Sequence, residues 1–123
     1  MTILGIDSTG EVLAVGVLDD QQAVTKTAPG RPHSTILLPL VRKLLGKKKP
    51  DAITVAVGPG SYTGTRVGVT TANTLGWAWK VPIYGIARSE SKDMDELLAA
   101  GHQKLLHGEK SNRALPLYST IAE

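Results

Sequence analysis

Cysteine and phenylalanine are both missing from the 123 residues of this chain. The first absence excludes disulfides, thiolate metal sites and a cysteine nucleophile. Aromatic residues make up only 4%, so the core has to be assembled from Val, Ile, Leu and Ala, which suit helices packed closely on a sheet. Long apolar runs are missing too. No stretch approaches the roughly 18 apolar residues of a membrane span, and the residues from Met1 to Asp7 lack the basic flank and apolar segment of a secretory signal. A cytoplasmic protein without membrane contact is therefore expected. Charge of one sign is scarce: 14 basic and 11 acidic residues leave a formal charge of +3, which does not by itself call for nucleic acid. Its densest part, Lys47, Lys48 and Lys49 before Pro50, is expected at a helix exit, where cations complement the helix dipole. His33, His102 and His107 have no metal-ligand spacing, and no His-Glu-x-x-His occurs, which disfavours a zinc peptidase.

What is present suits one domain, because a chain of this length with 41% hydrophobic residues supports one core and hardly two. Thr2 to Ile6, Val12 to Leu18 and Gln22 to Thr27 are short β-rich runs separated by polar turns, which predicts an antiparallel meander. From Ser34 the apolar residues Ile36, Leu37, Leu40, Val41, Leu44 and Leu45 recur at helical spacing, and Gly46 and Pro50 supply the stop. Pro39 inside this helix predicts a kink or a late start. Ala52 to Val57 reads as a buried central strand, residues 65–80 as a helix, and Ile83 to Ile86 as a strand parallel to the previous one. Beyond that, Ser91 is expected to cap a short helix closed by Gly101. Residues 102–113 read as a loop or frayed helix, and Leu115 to Tyr118 as an apolar anchor. The predicted fold class is α/β, a mixed sheet of three antiparallel strands plus parallel strands with helices packed on it. This element order is that of the ribonuclease-H-like half of the actin-like ATPase superfamily.

Two segments are placed to carry chemistry. Asp7, Ser8 and Thr9 end the first strand, where open α/β sheets gather ligands; the same residues equally suit an Asx-type turn between hairpin strands. Gly58, Gly60 and Ser61 lie between a strand and a helix, a geometry that cradles anions. The lysine of a Walker motif is absent, since Gly64 is followed by Thr65 and Arg66, and Ser61 or Thr63 explains itself as a helix cap. In the helix that follows, Gly64, Gly68, Ala72 and Gly76 recur every four residues, a strip of missing side chains down one face. Such a strip either seats the protein's own sheet or admits a partner helix flanked by Val67, Thr71, Leu75 and Trp79.

Residues Ile3 to Thr9, His33-Ser34 with Leu37-Leu38-Pro39, and above all Val57 to Gly68 resemble the TsaB (YeaZ) family in order and spacing. The likeness continues through Thr71-Ala72 and Leu75-Gly76 to Ile86, and Arg113 to Tyr118 resembles a Pro-x-Tyr segment near the end of family members. Tyr62 stands where members usually have Phe. Where they have a second subdomain, residues 89–112 stand in its place, so two parts are expected: a TsaB-like subdomain over residues 1–88 and a reduced segment over residues 89–123, packing on the same domain in a naturally short protein. The resemblance implies a non-catalytic partner of a TsaD-like threonylcarbamoyltransferase in tRNA threonylcarbamoyladenosine modification. It further implies a homodimer when alone, a TsaE-like ATPase joining the complex, and tRNA met only indirectly. No catalytic residue, metal or intrinsic cofactor is implied, and ATP or ADP would enter only in the complex. Family members pair through two helices, which places Leu37, Leu40 and Val41 beside Gly64, Val67, Gly68, Thr71, Ala72, Leu75 and Gly76 in the expected interface. The competing expectation is a small actin-like ATP-binding enzyme using Asp7, Ser8, Thr9, Gly58, Gly60 and Ser61 as phosphate contacts.

Overall fold

The computed structural model describes residues 1–20, 22–28 and 33–117. Their elements run β1 (Thr2–Asp7), β2 (Leu13–Asp19), β3 (Gln22–Ala28), α1 (His33–Leu45), β4 (Ala52–Gly58), α2 (Tyr62–Trp79), β5 (Ile83–Ala87) and α3 (Met94–Leu106). The strands form one five-stranded sheet in the order β3-β2-β1-β4-β5. The pairs β1–β2 and β2–β3 are antiparallel, while β1–β4 and β4–β5 are parallel. Short connections close the meander, and each parallel pair is joined by a helix, as parallel strands require. This is the mixed α/β sheet that the periodicities predict.

Strand alternation splits the interior in two. Leu4, Ile6, Leu13, Val15, Ile53, Val55 and Val57 face α1 and α2, joined by Leu37, Val41, Leu45, Val69 and Ala72. Ile3, Ala52, Ala56, Tyr84 and Ile86 face the other way, where Met94, Leu97 and Leu98 of α3 cover them. Gly5 and Gly16, partners across β1 and β2, form the notch for that helix: a Cβ on Gly5 would lie 2.7 Å from Met94 Sδ, and one on Gly16 3.1 Å from Leu98 Cδ1. Glycine weakens a strand, and here it lets a neighbouring element approach closely. Burial pushes the Tyr84 phenol above its ordinary value, with the nearby Glu109 carboxylate adding to the effect; its hydroxyl donates to the Glu109 carbonyl at 2.7 Å.

Several boundaries differ from those expected. α1 begins at His33 and runs through Pro39 without a late start, because Pro39 lies on the exposed side. α2 begins at Tyr62, three residues before the expected Thr65, since the Ser61 hydroxyl caps it by accepting from Gly64 N at 3.1 Å. The last helix is capped by Asp93, not Ser91, and passes through Gly101 to Leu106. Gly101 does not stop it because the glycine seats against β4, where a Cβ would meet Thr54 Cβ at 2.7 Å. Residues 102–113, expected as a loop or frayed helix, begin as the last turn of α3 and continue as turn and loop. The expected anchor also shifts. Leu115 and Leu117 are 61% and 47% exposed, and Ala114 is buried instead, clasped by the Asn73 side chain, which donates to its carbonyl at 2.9 Å and accepts from its amide at 2.7 Å. Tyr118 lies outside the described residues.

Candidate functional site

The carboxyl ends of β1 and β4 bring the two sequence-marked segments together. Asp7 Oδ1 accepts from the Thr9 amide at 3.0 Å and from the Thr9 hydroxyl at 2.7 Å, an Asx-type turn. Arg88, which no motif marked, donates to the Thr9 hydroxyl at 2.7 Å from 79 residues away, and its amide donates to the Gly58 carbonyl at 2.9 Å. Ser8 is fully buried and donates to the Gly64 carbonyl at 2.5 Å. The Ser61 amide donates to the Thr9 carbonyl at 2.9 Å. Gly60 lies so close to this turn that a Cβ would sit 2.7 Å from the Thr9 carbonyl oxygen. Gly58 has φ +103°, with the Leu117 carbonyl where a Cβ would be, a conformation that favours glycine.

These bonds change the expected roles. Ser8 and Thr9 are withdrawn from solvent, and Gly58 and Gly60 are packed on the chain's own backbone, so these four residues lock the β1 turn to the glycine loop. Asp7 stays partly buried, and Ser61, exposed, borders a hollow of about 440 Å³ lined also by Thr9, His33, Thr63 and Val67. His33 contacts the Gly10 carbonyl through Nε2 at 2.9 Å. A carbonyl only accepts, so Nε2 carries a hydrogen, and Nδ1 is buried with no partner among the described residues. No group of three or more His, Asp or Glu able to hold a metal occurs among them either.

The small-residue strip of α2 turns inward. Gly64, Gly68, Ala72 and Gly76 are all buried. A Cβ on Gly68 would collide with the Ser8 hydroxyl, and one on Gly76 with the Ile83 side chain. Of the two alternatives, the strip seats the protein's own sheet, and these four residues are not available to a partner in the folded chain. Leu37 and Val41 of α1 are buried in the same way. The remaining expected contact residues, Leu40, Val67, Thr71 and Leu75, are half-buried along the outer side of α1 and α2. With them lie Leu38, 52% exposed, and Arg66, whose guanidinium stands over the Tyr62 ring at 5.5 Å. Shallow hollows between the two helices continue this face from Ser34 past Thr71 to Leu38 and Leu75.

Comparison with known proteins agrees with this architecture. The family described as "TsaD: tRNA N6-adenosine threonylcarbamoyltransferase" matches residues 18–109. The tRNA threonylcarbamoyladenosine biosynthesis protein TsaB of Bacillus subtilis is 37% identical over 98 residues, covering 74% of this chain and 43% of that protein. Among solved structures, YeaZ from Pseudomonas aeruginosa superposes with a TM-score of 0.66 at 30% identity, covering 70% of this chain and 43% of that one. Thermus thermophilus RuvC, with a TM-score of 0.53 and 16% identity over 75% of this chain and 67% of its own, shares the ribonuclease-H-like fold alone. The chain spans less than half the length of the TsaB and YeaZ relatives it matches. With the sheet order, the locked turn and the glycine loop in place, the chain belongs to the TsaD family and is similar to TsaB (YeaZ) proteins over part of their length.

Proposed function

We propose that this chain serves tRNA threonylcarbamoyladenosine modification as a non-catalytic partner of a TsaD-like subunit, docking through the outer side of α1 and α2. One observation carries the reading: Leu38 is exposed beside Leu40, Val67 and Leu75, which pack on the core but stay half-buried, on two adjacent helices. A large exposed apolar residue such as Leu38 is more informative than a buried one, and several side by side mark a contact surface. The locked β1 turn supports a scaffold role, since its hydroxyls are engaged within the chain. On this reading ATP or ADP enters only with the assembled complex and a TsaE-like ATPase, and the same helix face makes a homodimer when the partner is absent. The test is Leu38→Glu. This residue is exposed, so the melting temperature should stay nearly unchanged, while affinity for a TsaD-like subunit or for a second copy falls roughly ten- to hundredfold. Unchanged affinity in both assays would exclude this face as the interface.

A small ATP-binding enzyme is the second reading, favoured by the hollow at the amino end of α2 beside Thr9 and Ser61, where helix amides attract anions. Purified chain is expected to show no steady ATP turnover. Turnover that vanishes on Asp7→Ala would instead establish the enzyme.

A further inference from the structure

The carboxyl end of α2 presents a feature that the fold does not use. Trp77 is 81% exposed and belongs to neither core cluster. An uncovered indole leaves a large apolar surface in water. It borders an open hollow of about 1010 Å³ whose other walls include Lys80 and Lys110. Glu109, the acidic residue lining this hollow, is engaged by Lys104 at 3.4 Å. Lys80 is the C-cap of α2, where a cation complements the helix dipole, whereas Lys110 lies beyond the cap of α3.

We propose that the hollow beside Trp77 is a docking surface for single-stranded RNA, with a base stacked on Trp77 and phosphates on Lys80 and Lys110. An exposed ring between cations is the chemistry by which single strands are held: stacking on the π-face and charge along the backbone. A protein partner fits less well, because lysine is depleted in protein interfaces. The choice of RNA among polyanions rests on the tRNA-modification reading. The surface itself is distinct from the outer α1–α2 face and departs from the expectation that tRNA is met only indirectly.

Fluorescence decides the matter, because the chain has only two tryptophans. A short unstructured RNA oligonucleotide should quench the isolated chain saturably. Trp77→Leu should weaken binding roughly ten- to hundredfold at unchanged melting temperature. Replacing Lys80 and Lys110 by Gln should flatten the dependence of log K on log salt by about 1.4. RNA affinity unchanged in Trp77→Leu, inorganic polyphosphate bound as tightly as RNA, or self-association that covers Trp77 would each overturn the proposal. No TsaD-like subunit is present in the assay, so failure of partner docking and failure of RNA binding are read separately.

Discussion

Deleting residues 89–112 should abolish cooperative thermal unfolding. By sequence alone this stretch reads as polar and weakly periodic, and its removal would be expected to leave the sheet intact. The structure reverses that expectation. Met94, Leu97 and Leu98 are buried against Ile3, Ala52, Ala56, Tyr84 and Ile86, so the deletion strips one whole face of the sheet. Three such side chains contribute about 2 kcal/mol each, and the strand residues they cover lose a comparable amount. Set against a total stability of roughly 5–15 kcal/mol for a domain, the loss exceeds what this chain can spare. Circular dichroism of the deleted protein should show a broad, non-cooperative melt. Leu98→Ala supplies a graded version, expected to cost about 2–5 kcal/mol through the cavity it leaves. A deleted protein that still melts sharply near the parent temperature would show that α3 is an appendage and not half of the core.

The second large effect is expected from Ala72→Leu. Ala72 has no solvent exposure and lies between Gly68 and Gly76 on the side of α2 that rests on β1 and β5. Additional methyl and methylene groups there have nowhere to go except into the sheet. Overpacking of this kind costs about 1–3 kcal/mol, and each kcal/mol lowers the melting temperature by several degrees in a domain of this size. Molecules that still fold should keep their affinity for a TsaD-like subunit and for one another, because the outer sides of α1 and α2 are untouched. The reverse pattern, unchanged melting with weakened association, would mean that the strip faces a partner after all. Leu38→Glu is the complementary variant, with association lost and stability kept, so the pair assigns the two sides of one helical layer.

Most of the element order was legible in the residues themselves. Alternation in residues 2–28, helical spacing from Ile36 to Leu45 and the short apolar run from Ala52 to Val57 are local signals, and each matches its element to within a few residues. Helix ends were less legible where a residue has two uses. Gly101 has the form of a stop, and only its approach to Thr54 shows it to be a seat inside α3. Gly5 and Gly16 carried a readable sign, glycine inside a strand run, but what they admit, Met94 and Leu98, lies more than seventy residues away.

The sequence by itself determined the α/β class, the meander, the later βαβ crossover, the turn chemistry of Asp7 to Thr9 and the resemblance carried by Val57 to Gly68. These follow from interactions within a few residues, where spacing and side-chain type suffice. Tertiary structure decided which way the small-residue strip faces, that Arg88 closes the β1 turn through Thr9, that α3 covers half the sheet, and that Trp77 meets Lys80 and Lys110 at one end of the molecule. The reason is physical: periodicity sorts residues onto the two sides of a helix or strand but does not say what lies opposite. The partner is set only when distant segments compete to bury the same apolar surface.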